Sequence, residues 1–246
     1  MNLAFKKIFI FLLFLSVLKA DENLKDLFKD MNLSGVLISF DGLSYKSNDF
    51  KRANQAFSPA STFKIANALI ALDNGVIKDA NEVFYIYKGE KVFLQSWAQD
   101  ANLSTAMKNS AVPAFKELAR KIGLKKMKEG LKKLAYGNEK ISLIDEFWLD
   151  DSLKISAKEQ VDMLFALMRL DLPFSKKAQE EVIKTLELKS GIYAKTGFND
   201  KIGLAWIIGF VKQKKLAFAM NLDIKDFEDL PKRELLLENA LQYKYF

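Results

Sequence analysis

The chain contains no cysteine and no histidine. Without cysteine there is no disulfide, so stability must come from packing. Without histidine there is no Ser-His-Asp or Cys-His site, and the two absences together exclude zinc held by those ligands. The one side chain that titrates near neutral pH unperturbed is also missing. Acid–base chemistry therefore falls to Lys, Asp, Glu, Tyr or Ser, and any base must be one that its surroundings perturb. A long apolar run is lacking too. Ile8 to Leu18 is the longest at the N-terminus, 11 residues, too short to span a bilayer comfortably. With Lys6 and Lys7 before it and Ala20 after it, it reads as an export signal, and cleavage is expected after Ala20, although Leu18 stands where a smaller residue is favoured. No cysteine follows, which excludes a lipoprotein. Residues 1–20 carry three lysines and no acid, so their removal lowers the formal charge from +7 to +4. The expected product, residues 21–246, is a mildly basic soluble protein with no nucleic-acid-binding charge and no stable membrane anchor.

Half of the 246 residues are hydrophobic, enough for one sizeable core split between two lobes. Two β-like runs, "GVLISF" (35–40) and "LSYKSN" (43–48), flank Asp41-Gly42, a two-residue hairpin signal. From Ser58 to about Leu188 the pattern is mostly helical. Three further β-like runs follow: "GIYAKTGF", "IGLAWIIGFV" and "KLAFAMNLDI". "PKRELLLENALQY" closes the chain as a helix with Pro231 in its first turn. Strands at both ends around a helical middle predict an α+β fold: one antiparallel sheet of about five terminal strands packed with helices, plus a helical lobe. "LKKMKEGLKKLAYGN" reads as an amphipathic helix with a solvated lysine face, its apolar side formed by Leu124, Met127, Leu131 and Leu134.

"FSPASTFKIANALIALDNGV" (57–76) is almost wholly apolar yet holds Lys64. Ser58-Pro59 reads as an N-cap and first helical position, and Asn74-Gly75 as the helix end. A helix apolar nearly all round is a buried one. Ser61 then falls at its third position, near free backbone N–H groups, with Lys64 one turn later on the same face. Burial disfavours the ammonium and lowers the lysine pKa, and a neutral amine can act as a base or a nucleophile. S-x-x-K alone is a weak signal, since Ser16–Lys19 matches it inside the signal-like segment.

Three more stretches raise it: Ser110-Ala111-Val112, Tyr136-Gly137-Asn138, and Lys195-Thr196-Gly197 on a β-like run. S-x-x-K with a later K-T-G marks serine β-lactamases and penicillin-binding proteins, and the middle motif is S-A-V rather than S-D-N. Together with "PASTFK", "YGN" and "EFWL", the chain resembles the class D β-lactamases from about Ser34 to Tyr243. The resemblance implies a periplasmic or secreted enzyme, monomer or homodimer, that hydrolyses penicillin- and oxacillin-type antibiotics through an acyl-serine, with no metal and no cofactor beyond CO2. Ser61 matches the acylated nucleophile, and Lys64 the lysine that takes up CO2 to become an N-carboxylated base. Val112 and Phe115 match the apolar wall of that carbamate's pocket, Trp148 the indole that holds one of its oxygens, and Leu149 a residue limiting water access. Ser110 matches the hydroxyl relaying a proton to the leaving nitrogen. Lys195, Thr196 and Gly197 match the substrate-side strand, Arg233 the partner of the substrate carboxylate, and the backbone N–H groups of Ser61 and Phe198 the oxyanion hole. Tyr136 has no chemical step. The loop after "KTGFND" is short, which leaves substrate range open.

Two other readings share the fold. A penicillin sensor would hold its acyl group, but it needs a receptor body, and apolar Val112 favours a stable carbamate. A penicillin-binding protein acting on peptidoglycan peptides fits the small size and Trp148 poorly.

Overall fold

Strands near the two ends of the chain meet in one sheet. The computed structural model describes residues 20–242. The expected signal segment lies outside them, Ala20 excepted. The sheet is built from β1 (Gly35–Phe40), β2 (Tyr45–Ser47), β3 (Glu187–Lys189), β4 (Ile192–Asn199), β5 (Leu204–Val211) and β6 (Leu216–Asp223). It is antiparallel throughout, in the order β2-β1-β6-β5-β4-β3. β1 joins the C-terminal strands through β6, from Gly35 opposite Leu222 to Phe40 opposite Ala217.

Both faces of the sheet are covered. On one face α1 (Glu22–Asp30) and the C-terminal helix lay Leu24, Leu27, Leu236 and Ala240 over Leu37, Ile207 and Met220. On the other, Val36, Ile38, Ile208 and Phe210 join the main core with Val161 and Leu164. Every residue of β5 is therefore buried. Coverage on both sides is why "LAWIIGFV" shows no alternation of polar and apolar residues.

The main core is centred on α2 (Lys64–Asp73), which is buried from Lys64 to Ala71. Around it pack α3 (Val112–Ile122), α4 (Leu124–Leu134) and, at its C-terminal side, α5 (Lys176–Lys184). α6 (Ala157–Met168) lies between this helical part and the sheet, started by a capping box of Ser156 and Glu159.

Four expectations are corrected. The first hairpin loop spans four residues, not two. Phe40 pairs with Tyr45, and the Asp41 carboxylate accepts the N–H groups of Leu43 and Ser44, closing a wider turn. The sheet has six strands rather than five. β3 is an exposed edge strand whose "ELK" carries no apolar pattern to reveal it. The apolar side of α4 uses Met127, Gly130 and Leu131, while Leu124 is exposed. Gly130 lets α4 approach α2 so closely that a Cβ there would lie 2.4 Å from the Ile70 side chain. Finally, residues 60–63 form a 3-10 turn, and the α-helix begins only at Lys64.

Candidate active site

The correction at residues 58–63 shapes the site. Ser58 does not cap the helix; its hydroxyl donates to the Trp148 carbonyl at 3.1 Å. Its own carbonyl accepts the Trp206 indole N–H at 3.0 Å. Ala60 then adopts a left-handed φ of 47°, which turns the chain sharply before Ser61. Thr62 N–H closes on the Pro59 carbonyl at 3.1 Å. With the Ser58 carbonyl taken by Trp206, the Ser61 N–H has no acceptor among the described residues. Ser61 itself is half-buried. Behind the turn, Thr62 Oγ1 donates to Pro59 O at 2.7 Å and accepts from Gln160 Nε2 of α6 at 3.2 Å.

One turn on, Lys64 has no solvent exposure. Its Nζ donates to Ser61 Oγ at 2.6 Å and lies 5.4 Å from the centre of the Phe115 ring. Burial first, and the nearby positive charge of Lys195 second, hold its pKa well below that of an ordinary lysine. Burial thus disfavours the charged ammonium of an amine that is hydrogen-bonded to one hydroxyl. Phe115 is positioned by α3, whose backbone at Phe115 accepts Asn67 Nδ2 of α2 at 3.2 Å. Trp148 is fully buried, its ring stacked on Phe63 with centroids 5.2 Å apart. Its indole N–H has no hydrogen-bond partner among the described residues. A buried donor without an acceptor is costly, and it marks a place suited to an anionic oxygen.

The opposite wall is β4. Gly197 packs against the Ser61 turn: a Cβ there would lie 3.1 Å from Pro59 O and 3.2 Å from Ser61 N. Lys195 is 6% exposed and donates to the Thr196 carbonyl at 3.0 Å. Burial, with the positive charge of Arg233 next, lowers its pKa to about 7. Arg233 reaches over from the C-terminal helix. Its Nη1 lies 3.4 Å from the Gly197 carbonyl, while its Nε donates to Glu234 at 2.9 Å. Two basic side chains, Lys195 and Arg233, thus converge on one side of Ser61, an arrangement suited to an anionic substrate group.

The fold therefore gathers Ser61, Lys64, Phe115, Lys195, Gly197 and Arg233. Thr196 is half-exposed on the same strand, and the Phe198 ring packs edge-on against Phe227 at 5.0 Å. Ser110 ends the helix Leu103–Lys108 in a left-handed conformation, φ 50°, and its hydroxyl makes no hydrogen bond among the described residues. Val112 begins α3, half-buried, where it lines a surface groove with Phe93 and Trp97. Leu149 is half-buried against the main core. Tyr136 is buried and makes an edge contact with Phe63, in keeping with a packing role. Sequence reasoning missed Ser58, Gln160 and Trp206. No local pattern marks them, because each acts through a partner at least 90 residues away.

Known proteins are similar to this chain in sequence and fold. The penicillin binding protein transpeptidase domain family matches residues 30–242. The β-lactamase OXA-48 of Klebsiella pneumoniae is 42% identical over 205 residues, 80% of this chain and 77% of its own. The β-lactamase OXA-10 of Pseudomonas aeruginosa is 39% identical over 211 residues, 81% of this chain and 79% of its own. The crystal structure of FUS-1 (OXA-85), a class D β-lactamase from Fusobacterium nucleatum subsp. polymorphum, has a TM-score of 0.88 at 41% identity, over 92% of this chain and 98% of that one. Each match covers most of the chain, and on that ground the chain belongs to the class D β-lactamases, hydrolases built on the penicillin-binding transpeptidase fold.

Proposed function

We propose that this β-lactamase opens the amide of penicillin- and oxacillin-type antibiotics through an acyl-serine at Ser61, after export and removal of residues 1–20. The observation that carries the reading is the 2.6 Å hydrogen bond between the buried Lys64 amine and the Ser61 hydroxyl. No histidine exists to do the same work.

The substrate carboxylate docks between Lys195, Thr196 and Arg233, where the positive field is concentrated. That places the lactam carbonyl beside Ser61, and its oxygen accepts the free Ser61 N–H and that of Phe198. Ser61 attacks the carbonyl carbon while its proton moves toward Lys64. The Ser110 hydroxyl hands its proton to the leaving nitrogen and takes up the one Lys64 received from Ser61, so the C–N bond breaks to a neutral amine and Ser110 is restored. That hydroxyl makes no hydrogen bond among the described residues, which leaves it available for the transfer.

Lys64 is suited to N-carboxylation by CO2, because only a neutral amine adds CO2, and the orphaned Trp148 N–H beside an apolar wall suits the product. Once formed, the carbamate supplies a carboxylate-like base for both acylation and deacylation. Phe115, Val112, Trp148 and Leu149 would hold it and keep bulk water away.

The deciding measurement is nitrocefin and oxacillin hydrolysis with mass spectrometry of Ser61. A transient adduct with multiple turnovers is expected. A persistent adduct without turnover would overturn the hydrolytic cycle. Turnover without any adduct would overturn Ser61 as nucleophile.

A further inference from the structure

Beside Lys195 the surface opens into a cleft of about 480 Å³ that the catalytic scheme does not use. Its walls include Met107, Lys108, Lys184, Glu187, Lys195 and Thr196. Three are cations and one is an acid. Lys184 is committed to Glu181 at 2.5 Å. Lys108, at the end of the helix Leu103–Lys108, is exposed and pairs with no acid among the described residues. It stands two residues before Ser110, so the helix that presents the proposed proton relay also presents a free ammonium to the cleft.

Substrate chemistry connects the cleft to the site. In a cephem nucleus the C3 substituent and the C4 carboxylate sit on adjacent ring carbons. A carboxylate held by Lys195 and Thr196 therefore brings the C3 substituent against the same two residues. They form the shared wall of the cleft, so the substituent enters it. A penicillin has no counterpart, because its ring carries two methyl groups at that place.

We propose that this cleft is a subsite for an anionic C3 substituent of cephem substrates, with Lys108 as its specificity determinant. The inference rests on the proposed docking of the substrate carboxylate. Lys108 acts at a distance through an exposed charge, so its contribution is modest and is screened by salt. It should bear on substrate preference and leave the chemistry unchanged.

The test uses two cephalosporins with the same 7-acyl group, one with a sulfonate-bearing C3 substituent and one with a neutral C3 substituent, and benzylpenicillin as the control. In Lys108→Gln, kcat/KM for the sulfonate compound should fall about threefold to fivefold at low salt. Values for the neutral cephem and the penicillin should stay within about twofold, since no unpaired charge meets them. Lys108→Glu should deepen the selective loss, and 0.5 M salt, roughly a Debye length of 4 Å, should erase it. An equal loss on all three substrates, or no loss on the sulfonate compound, would overturn the subsite. Wild-type failure to hydrolyse benzylpenicillin would instead overturn the underlying hydrolytic reading, so the two failures are distinct.

Discussion

Gly197→Ala tests the contact between β4 and the turn that carries Ser61. The new methyl would sit 3.1 Å from Pro59 O and 3.2 Å from Ser61 N, against ordinary contact from 3.4 Å upward. Neither neighbour is a flexible chain end. Pro59 O already accepts from Thr62 N–H and Thr62 Oγ1, and Thr62 is tied through Gln160 to α6. The shortfall of 0.2 to 0.3 Å must then be taken up by a shift of the turn or of β4. A misplacement of about 1 Å in a catalytic group costs on the order of 10²-fold, so the proportionate loss here is about fourfold. Since the same shift moves the Ser61 N–H and its hydroxyl together, kcat/KM should fall about fourfold to tenfold. Stability should hardly move. Overpacking costs about 1 kcal/mol at the low end. Reduced freedom of the unfolded chain returns about 0.4–1 kcal/mol, and Gly197 does not need a left-handed φ. Melting should stay within about 3 °C of wild type. Steady-state kinetics on nitrocefin with a thermal melt would settle it. Full activity would refute the claim that Gly197 is required for the placement of Ser61, and a variant that fails to fold would refute the small strain assigned to it.

Lys64→Met keeps the buried volume but removes the amine; it should abolish turnover while melting at least as high as wild type, because an amine buried on every side is replaced by an apolar chain, and retained turnover would refute the base. Trp148→Phe keeps a ring near Phe63 but deletes the orphaned N–H; losing a charge-assisted hydrogen bond of about 1.5–3 kcal/mol should raise the bicarbonate needed for half-maximal turnover by about 10- to 100-fold, and an unchanged bicarbonate response would refute the carbamate contact. Lys195 has a folded pKa of about 7 against 10.5 for an ordinary lysine. Between those values the unfolded chain binds a proton that the folded one does not, so this group's contribution to stability should rise with pH across that window and be least favourable below it. Chemical unfolding of wild type against Lys195→Met should show the difference in slope, and parallel curves would refute the buried lysine. Gly130→Ala should lower stability by about 1–2 kcal/mol despite alanine's helix propensity, since its methyl would meet Ile70 at 2.4 Å; a stabilised variant in denaturant melts would refute the tight α2–α4 contact.

The sequence by itself determined the chemical vocabulary of this protein. With no histidine and no cysteine, acid–base chemistry fell to Lys, Asp, Glu, Tyr or Ser, and the S-x-x-K, S-A-V and K-T-G stretches pointed to Ser61, Lys64, Ser110 and Lys195 as candidates. The terminal strands and the buried helix were legible because their apolar residues are contiguous in the chain. The edge strand β3, the four-residue hairpin loop and the inward face of α4 were not, since each depends on a partner rather than on local pattern. Only the tertiary structure decided how Ser61 is presented. Its local sequence reads as a capped helix, yet Trp148 and Trp206 claim the Ser58 hydroxyl and carbonyl, and residues 60–63 tighten into a 3-10 turn. Those partners lie 90 and 148 residues away in the chain. Local helix signals contribute only about 1 kcal/mol, which two buried hydrogen bonds and the packing of β4 can outweigh. The result is a serine whose N–H has no acceptor among the described residues and whose hydroxyl meets a buried lysine with a lowered pKa.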